Sequence, residues 1–484
     1  MIELSRRTKI IFTGALLGLV LSKGLAVMPG FSVDDYRALN ESRAYAHFIS
    51  QGRYSVAAIQ FLLDDLGVSA PSLTWVGIIM SIVAAACAIT MGILFSTREQ
   101  GPVMPQAAIA AILGSHPYLT EYFSFREASV FVAISFALLA LSFGIILNGE
   151  KHAGRYSFWL TVTLLFLTGI TQTIFLIAFF FVLTRFTIDS VTAGGLYGIK
   201  QSWRSHSRLF ATFVFAGIVY AVVFIIIQKY FGGSNDGRAS LIAFSDLPQR
   251  FDDIEALLIN VYLTSDPIMS QSVKLLTLLT IVGSTLMISI YRPSAAIGII
   301  LLFIALISGS IFLVSVSAIW WPAPRSIYGI GFSYGLILLV TIMLLNKGHR
   351  IFLGVVCTIA LGMIFHSNAM LYDQMRLNRW DLWTAGAIAQ DLADKGVKPE
   401  QKILLVGTWG YEYPAGPRTI VGDFNISALS TAVTKYLMKE STGRDWNIES
   451  VEGTLSVCPV DKFWPSPDSI IFRPQDVVVC MASP

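Results

Sequence analysis

Charged residues are scarce in this sequence of 484 residues: Asp, Glu, Lys and Arg make up only 13% of it, whereas hydrophobic residues make up 54%. A soluble domain has about 25% charged residues, so this chain has too few to cover the surfaces of several soluble domains. The same figures exclude a disordered chain, which needs low hydrophobicity and high charge. A formal net charge of +3 gives no electrostatic reason to expect nucleic acid as a partner. The composition therefore predicts a membrane protein that crosses the bilayer many times.

Motifs for nucleotides and metals are lacking as well. The sequence has no Gly-rich phosphate loop, no Walker motif and no Rossmann-like soluble segment on its predicted cytoplasmic side, so nothing in it is suited to a nucleotide-activated substrate. No group of His, Cys and Asp has the spacing of a zinc site, and we interpret His116 as a polar residue at the membrane boundary. We predict no cofactor and no essential metal, with a divalent cation as the alternative.

Long apolar runs recur between residues 10 and 368, and a helix needs about 20 such residues to cross a bilayer. Eleven spans are predicted, near residues 10–28, 72–95, 103–116, 127–147, 158–170, 172–186, 210–229, 273–291, 294–316, 327–346 and 351–368. The third, fifth and sixth are short. Residues 158–186 are assigned to two helices because Thr171, Gln172 and Thr173 form a polar break. The Phe-rich run 177–183 is expected to face lipid, and a groove for a polyprenyl chain is the alternative.

Basic residues indicate the orientation of these spans. With the N-terminus in the cytoplasm, the inside loops hold thirteen Lys or Arg and four acids, whereas the outside loops before residue 369 hold thirteen acids. An odd number of spans then places the C-terminal segment outside. Arg6 and Arg7 before an apolar run could also belong to a signal peptide, but no small-residue cleavage site follows, so the first span is predicted to be retained.

The C-terminal segment, residues 369–484, holds 25 of the 65 charged residues, which predicts a small folded domain outside the membrane. Residues 379–395 have helical spacing, and residues 402–408 and 476–481 are typical of buried strands. Cys458 and Cys480 lie here, and two cysteines outside the cytoplasm can form a disulfide. Two separate buried thiols are the alternative.

Ionisable residues beside the spans collect on the predicted outside and are candidates for function. Asp34 is the preferred general base and Asp35 its support, although a solvated acidic turn is the alternative for this pair, as it is for Asp64-Asp65. The candidates for contacting a phosphate are Arg126, Arg325, Arg238 and Arg53, for which snorkelling to lipid headgroups is the alternative. The candidates for binding sugar or acceptor are Glu121, Tyr118 and Arg37, and Glu121 could instead hold one of the arginines. Sugar transfer from a lipid phosphate needs such a base for the acceptor hydroxyl and cations at the departing phosphate.

Four segments carry a resemblance to a known family: VDDYR with the later QGR, HPYLTEYFSFREAS, GRAS and PAPRS. Through them, and over most of residues 10–370, the sequence resembles the Gtr-type integral-membrane glucosyltransferases of O-antigen serotype conversion, which belong to the GT-C superfamily. The family pattern of the second outside loop is matched at Pro117, Leu119, Glu121, Ser124 and Arg126. The sequence departs from that pattern at Phe125, where Tyr is usual, and at Glu127, where Asp is usual, and these departures leave the sugar and the acceptor open.

The resemblance implies an inverting transfer of glucose from undecaprenyl phosphate to a lipid-linked O-antigen or another surface glycan, on the periplasmic face of a bacterial inner membrane. It implies an acidic catalytic residue in the first outside loop, where Asp34 and Asp35 lie, and juxtamembrane helices there, at about residues 34–66. The expected partners are the undecaprenyl phosphate-sugar donor, a lipid-linked polysaccharide acceptor, membrane lipids and, upstream, a polyprenyl-phosphate-glucose synthase and a flippase.

The predicted fold class is an all-α polytopic membrane protein of GT-C type with about eleven transmembrane helices and a small C-terminal α/β domain outside the cytoplasm. The domains are residues 1–368 and 369–484. Two other functions are kept open, a transporter or flippase of lipid-linked saccharides and an O-antigen polymerase. A transporter would place charges at mid-span along a path through the bilayer, whereas the predicted spans have almost none there.

Overall fold

The structure is a computed structural model, and its description covers part of the chain. The described residues are 5–28, 30–40, 48–49, 51–68, 70–149, 153–231, 240–264, 268–345, 348–407, 427–430, 433–451, 458 and 462–481. Arg238 lies outside them, so its predicted phosphate contact has no structural description.

Helices make up most of the described residues. They are α1 (Arg6–Lys23), α2 (Val33–Asn40), α3 (Tyr54–Asp65), α4 (Thr74–Thr97), α5 (Val103–Ser115), α6 (Pro117–Ser124), α7 (Ser129–Gly149), α8 (Ala153–Thr168), α9 (Gln172–Ala193), α10 (Gly195–Phe231), α11 (Leu247–Tyr262), α12 (Gln271–Tyr291), α13 (Pro293–Val316), α14 (Pro324–Ile327), α15 (Gly329–Leu344), α16 (His349–Asp394) and α17 (Thr434–Thr442). The strands are β1 (Ile403–Val406), β2 (Ile448–Val451), β3 (Ile470–Phe472) and β4 (Val477–Cys480).

The chain is a helical membrane protein with a small sheet near its C-terminus. Among the described residues, nine helical segments are long and apolar enough to cross a membrane. Two shorter apolar helices, Val103–Ser115 and Tyr156–Thr168, coincide with the third and fifth predicted spans, which the sequence analysis also describes as short. The division of residues 158–186 into two helices is confirmed, since α8 ends at Thr168 and α9 begins at Gln172.

Several helices differ from the predicted ones. The sixth predicted span is not short, because α9 continues to Ala193 and has 22 residues. The prediction that residues 177–183 face lipid is wrong, because Ile177, Phe180 and Phe181 are buried inside the protein. The last span and the predicted helix 379–395 form one continuous helix of 46 residues, α16. Apolar periodicity stops near Asn368, which is why two separate helices are predicted. Polar residues do not end a helix that other elements support, so the helix continues.

The described chain divides into two compact units. The first unit comprises Met1–Gly24, Ala44–Phe123 and Ala128–Asn368. Its helices α1 and α5 approach each other closely because α1 carries Gly14 and Gly18 one turn apart. A Cβ atom at Gly18 would lie only 2.5 Å from the carbonyl oxygen of Ala111, so only glycine fits. Small residues at such spacing let helix backbones meet in a membrane.

The second unit comprises Leu25–Arg43, Ser124–Glu127 and Ala369–Pro484. Its sheet has the order β2-β1-β4-β3, in which β1 runs parallel to both β2 and β4, and β3 runs antiparallel to β4. The core on one side of the sheet includes Tyr36, Ile388, Leu405, Leu437 and Val479. Residues from the first predicted outside loop thus complete the hydrophobic core of the C-terminal segment.

The structure confirms the two predicted strands as β1 and β4 and contains two that the sequence analysis omits, β2 and β3. Both omitted strands are short and partly exposed, as Glu449 and Phe472 show, and therefore lack a clear apolar run. Cys458 and Cys480 form a disulfide and are not two separate buried thiols. It joins β4 to the chain that precedes β3.

Candidate functional site

Asp35 is part of a capping arrangement at the start of α2. The Asp35 backbone N–H donates to Ser32 Oγ at 3.2 Å, while Asp35 Oδ2 accepts from the Ser32 backbone N–H at 2.7 Å and from Ser32 Oγ at 2.9 Å. This reciprocal pattern is a capping box, which a Ser or Thr followed three residues later by an acid can form. Ser32 and Asp35 carry this signal in the sequence, and it was missed in the predictions above.

The other carboxylate oxygen of Asp35 is also occupied. Oδ1 accepts a hydrogen bond from the Glu127 backbone N–H at 2.8 Å, and the residue is almost completely buried. Burial raises the pKa of Asp35, while the nearby Arg126 charge and the hydrogen bonds from Glu127 and Ser32 act in the opposite direction. Asp34, by contrast, is only half-buried. Asp35 therefore holds α2 against residues 124–127, and Asp34 is the more accessible carboxylate.

Arg126 is buried in the second unit, so it does not snorkel towards lipid headgroups. Its guanidinium donates to the Met28 carbonyl oxygen at 2.5 Å and to Gln374 Oε1 at 3.4 Å, and it lies 5.9 Å from the ring centre of Phe31. These contacts join the three segments of the unit. Its contact with a donor phosphate stays a prediction, as does the role of Arg37, which is exposed one turn after Asp34.

Glu121 and Arg325 meet in the first unit, although they are 204 positions apart in sequence. Glu121 Oε2 accepts from the Arg325 backbone N–H at 2.5 Å, and Oε1 accepts from the Arg325 guanidinium. Glu121 is fully buried, whereas 21% of the Arg325 side chain is exposed. The guanidinium lies 4.3 Å from the ring centre of Trp321. Glu121 therefore holds an arginine, while its contact with sugar or acceptor stays a prediction.

Arg53 follows Gly52 in the first unit, and the Gly52 carbonyl oxygen accepts a hydrogen bond from the Tyr220 hydroxyl at 3.2 Å. Arg53 is exposed and precedes α3. Burial raises the pKa of Tyr122, while a hydrogen bond with Thr171 and the Arg53 charge act in the opposite direction. The Tyr122 ring centre is 5.1 Å from that of Tyr328. Tyr122 follows Glu121 and Tyr328 lies in the turn after Arg325, so this ring contact joins the same two segments as the pair of Glu121 and Arg325.

Tyr118 is turned into the helix bundle. It is 3% exposed, and its ring centre lies 5.5 Å from that of His116. The His116 ring also stacks on Tyr334, with the centres 5.5 Å apart. Contact of Tyr118 with sugar or acceptor stays a prediction. Asp64 and Asp65 are exposed at the end of α3, in agreement with the interpretation of that pair as a solvated helix end.

The sequence analysis passed over two lysines that are completely buried in the first unit, Lys23 and Lys274. Lys23 Nζ donates to the carbonyl oxygens of Ser115 and His116 at 3.2 and 3.1 Å, where α5 ends. Lys274 Nζ donates to the carbonyl oxygen of Asn260 at 2.5 Å, where α11 ends. The C-terminus of a helix carries partial negative charge, so these ammonium groups stabilise helix ends. Lys23 and Lys274 both lie close to an end of a predicted span, and this position is the feature of the sequence that could have identified them.

Within the described ranges, no group of three or more His, Cys, Asp and Glu residues is arranged to hold a metal ion. No protein-family model matches this sequence, and no curated protein is similar enough to count as a match. Inference about function therefore rests on the residues described above.

Proposed function

We propose that this protein is an inverting GT-C type glycosyltransferase of the bacterial inner membrane. It transfers a hexose, glucose by the resemblance, from undecaprenyl phosphate to a lipid-linked O-antigen or another surface glycan. The observation that carries the proposal is the pair of Glu121 and Arg325, which joins two segments of the resemblance, HPYLTEYFSFREAS and PAPRS. A buried carboxylate that fixes a partly exposed guanidinium provides an oriented cation, and an oriented cation stabilises a departing phosphate.

The proposal assigns the general base to Asp34 in the second unit. Asp35 is almost completely buried, so an acceptor hydroxyl has little access to it, whereas Asp34 is half-buried at the adjacent position of α2. Asp35 is a positioning residue, since it fixes the start of the helix that carries Asp34.

The reaction requires one bond to form as another breaks. Asp34 takes the proton of the acceptor hydroxyl, the hydroxyl oxygen bonds to the anomeric carbon, and the bond from that carbon to the phosphate oxygen breaks. Attack from the face opposite the phosphate inverts the anomeric centre. The second pKa of a phosphate is near 6, so the leaving group needs cations rather than a strong general acid. The candidates for these cations are the arginines that the sequence predicts, Arg126, Arg325, Arg238 and Arg53.

The proposed location is consistent with the disulfide and the charge distribution. Disulfides persist in oxidising compartments such as the periplasm, and the bond between Cys458 and Cys480 lies in the C-terminal segment. Placing that segment in the periplasm also leaves the basic loops in the cytoplasm, as the positive-inside rule requires. A polyprenyl-phosphate-glucose synthase and a flippase would then supply the donor.

The proposal is tested by glucose transfer from synthetic undecaprenyl phosphate-glucose to lipid-linked acceptors by the purified full-length protein. Wild type is compared with Asp34→Asn and Asp35→Asn. We expect Asp34→Asn to lower kcat by about 100-fold or more, the usual contribution of a general base, while donor binding persists. Asp64→Asn is the matched control, because it neutralises an exposed acid of another Asp-Asp pair.

Three outcomes separate the alternatives. Full activity of Asp34→Asn would show that the base lies elsewhere. Tight donor binding without turnover by wild type, with acceptors present, would favour a transporter of lipid-linked saccharides. Turnover that requires a diphosphate-linked donor would favour an O-antigen polymerase.

A further inference from the structure

The N-terminal part of α10 carries a row of positive charge that faces away from the protein. Lys200, Arg204 and Arg208 all have exposed side chains, and residues four apart lie on one face of a helix. The opposite face is buried through Ser202 and His206. We call Lys200, Arg204 and Arg208 the basic stripe.

The same face of α10 becomes apolar further along the helix. Phe215, Ile218 and Val222 are exposed by 57%, 57% and 49%, which suits a surface in contact with hydrocarbon. The change from basic to apolar residues falls near Ala211, so it marks the boundary of the hydrocarbon layer. The basic stripe, which extends about 12 Å along the helix axis, therefore lies at the depth of the lipid headgroups.

Two exposed aromatic residues support this depth. Trp203 and Tyr197 are exposed by 56% and 74%, and Trp and Tyr are enriched where membrane proteins cross the headgroup layer. Both lie within the same four turns of α10 as the basic stripe.

The positive charge of the stripe is not neutralised by the described protein. Lys200 and Arg204 form no ion pair with any described residue, and Arg208 lies 5.6 Å from the ring centre of Tyr156. The acid at this end of α9, Asp189, is bound to Arg98 at 2.8 Å and lies 3.8 Å from Nε of Arg185. That carboxylate already faces cations on other positions.

We propose that the basic stripe binds the phosphate groups of anionic phospholipids in the leaflet at the N-terminal end of α10. A zwitterionic lipid offsets its phosphate with its own ammonium group, whereas phosphatidylglycerol leaves a net negative charge for the stripe. The proposal goes beyond sugar transfer and does not depend on it.

The test places a fluorophore beside the stripe in the full-length protein. Cys87 and Cys357 are replaced by Ser, and Ala211→Cys is labelled and reconstituted into phosphatidylcholine vesicles. Quenching by nitroxide-labelled phosphatidylglycerol, relative to nitroxide-labelled phosphatidylcholine, gives the local preference for the anionic lipid. We expect the preference to fall about fivefold for each stripe residue changed to Gln, which is the equivalent of about 1 kcal/mol per basic residue near an anionic surface.

Two controls make the result specific. Changing the exposed lysines Lys398, Lys402 and Lys439 to Gln removes the same charge from the C-terminal segment and should leave the preference unchanged. Exchanging each stripe residue for the other basic residue type should retain most of the preference. Equal preference in wild type and in the triple Gln variant, when both reconstitute and quench equally with phosphatidylcholine, would overturn the proposal.

Discussion

Adjacent identical residues take different parts in this protein. Asp34 and Asp35 are about 100° apart around α2, and this rotation turns Asp35 towards Ser32 and Glu127 while Asp34 stays half-buried. Two of the candidate arginines, Arg126 and Arg325, also differ in their surroundings. Arg126 donates to neutral oxygens in a core and has the Asp35 carboxylate nearby, whereas Arg325 is held directly by a carboxylate and keeps part of its side chain exposed.

Arg325→Gln should lower kcat/KM for sugar transfer by about 100-fold, the effect of losing one donor to a developing negative charge. Glu121→Gln should have a smaller effect, because Arg325 keeps its charge and loses only its orientation. The donor assay described above measures both. Arg473→Gln is the matched control, since the Arg473 guanidinium is also paired with a carboxylate, that of Asp476. Wild-type activity of Arg325→Gln would remove Arg325 from the proposed set.

Asp381 should make the stability of the second unit depend on pH. It lies about 20 Å beyond the apolar part of α16, and its carboxylate accepts from Ser427 Oγ at 2.6 Å and from the Ala428 backbone N–H at 2.8 Å. Burial raises the pKa of Asp381 to about 7, against the opposing effect of these hydrogen bonds. The folded state then binds the proton more tightly than the unfolded state, so the stabilisation is full below about pH 4 and is lost as pH rises through about 7.

Hydrogen exchange of the Ala428 amide, corrected for its intrinsic pH dependence, measures this effect. We expect its protection in wild type to fall between about pH 4 and 7, by an amount on the order of 4 kcal/mol. Asp381→Asn keeps the size of the side chain and removes the titration, so the fall should be much smaller. The same pH profile in both proteins would exclude Asp381 as the group responsible.

At the scale of elements, the helices of the first unit are joined by small residues and by cations at helix ends. Lys23 and Lys274 donate to the ends of α5 and α11. Arg250 does the same at the end of α13, where its Nη1 donates to the Val314 and Ser317 carbonyl oxygens, both at 2.8 Å. Carbonyl groups at helix ends thus stabilise buried cations without a carboxylate at each one.

Gly18→Ala should destabilise the first unit, because the added Cβ would meet the Ala111 carbonyl oxygen and force α1 away from α5. We expect a loss of folded protein and a lower midpoint of thermal unfolding in detergent. Gly354→Ala is the matched control, since it is also a helical glycine but has no atom within 4 Å of the new Cβ. It should be neutral or stabilising by up to about 1 kcal/mol. Equal effects of the two variants would contradict the close-packing argument.

At the scale of the molecule, the second unit is built from three separated parts of the chain. Tyr36 from the first of them is completely buried among core residues of the C-terminal segment, and its hydroxyl accepts a hydrogen bond from Asn378. Residues 124–127 join through the hydrogen bond from Glu127 to Asp35. The candidate base therefore lies on a helix whose position depends on the folding of the C-terminal segment.

Tyr36→Ala should weaken the whole second unit, because truncation of a buried aromatic residue costs about 3 to 5 kcal/mol. Pulse proteolysis of the full-length protein in urea, followed at the C-terminal segment, measures the change. Tyr372→Ala is the matched control, because Tyr372 belongs to the same unit and is 53% exposed. If both variants resisted the protease equally, the first outside loop would not stabilise the C-terminal segment.

The sequence by itself determined the membrane class, the positions of most spans and two strands of the C-terminal sheet. These features depend on local composition and periodicity, which a stretch of consecutive residues displays. Only the tertiary structure decided that Asp35 accepts from Glu127, that Glu121 holds Arg325, that most of residues 177–183 are buried and that Tyr36 belongs to the C-terminal core. Each of these is a contact between residues far apart in the chain, and the packing that creates it leaves no periodic pattern at either end.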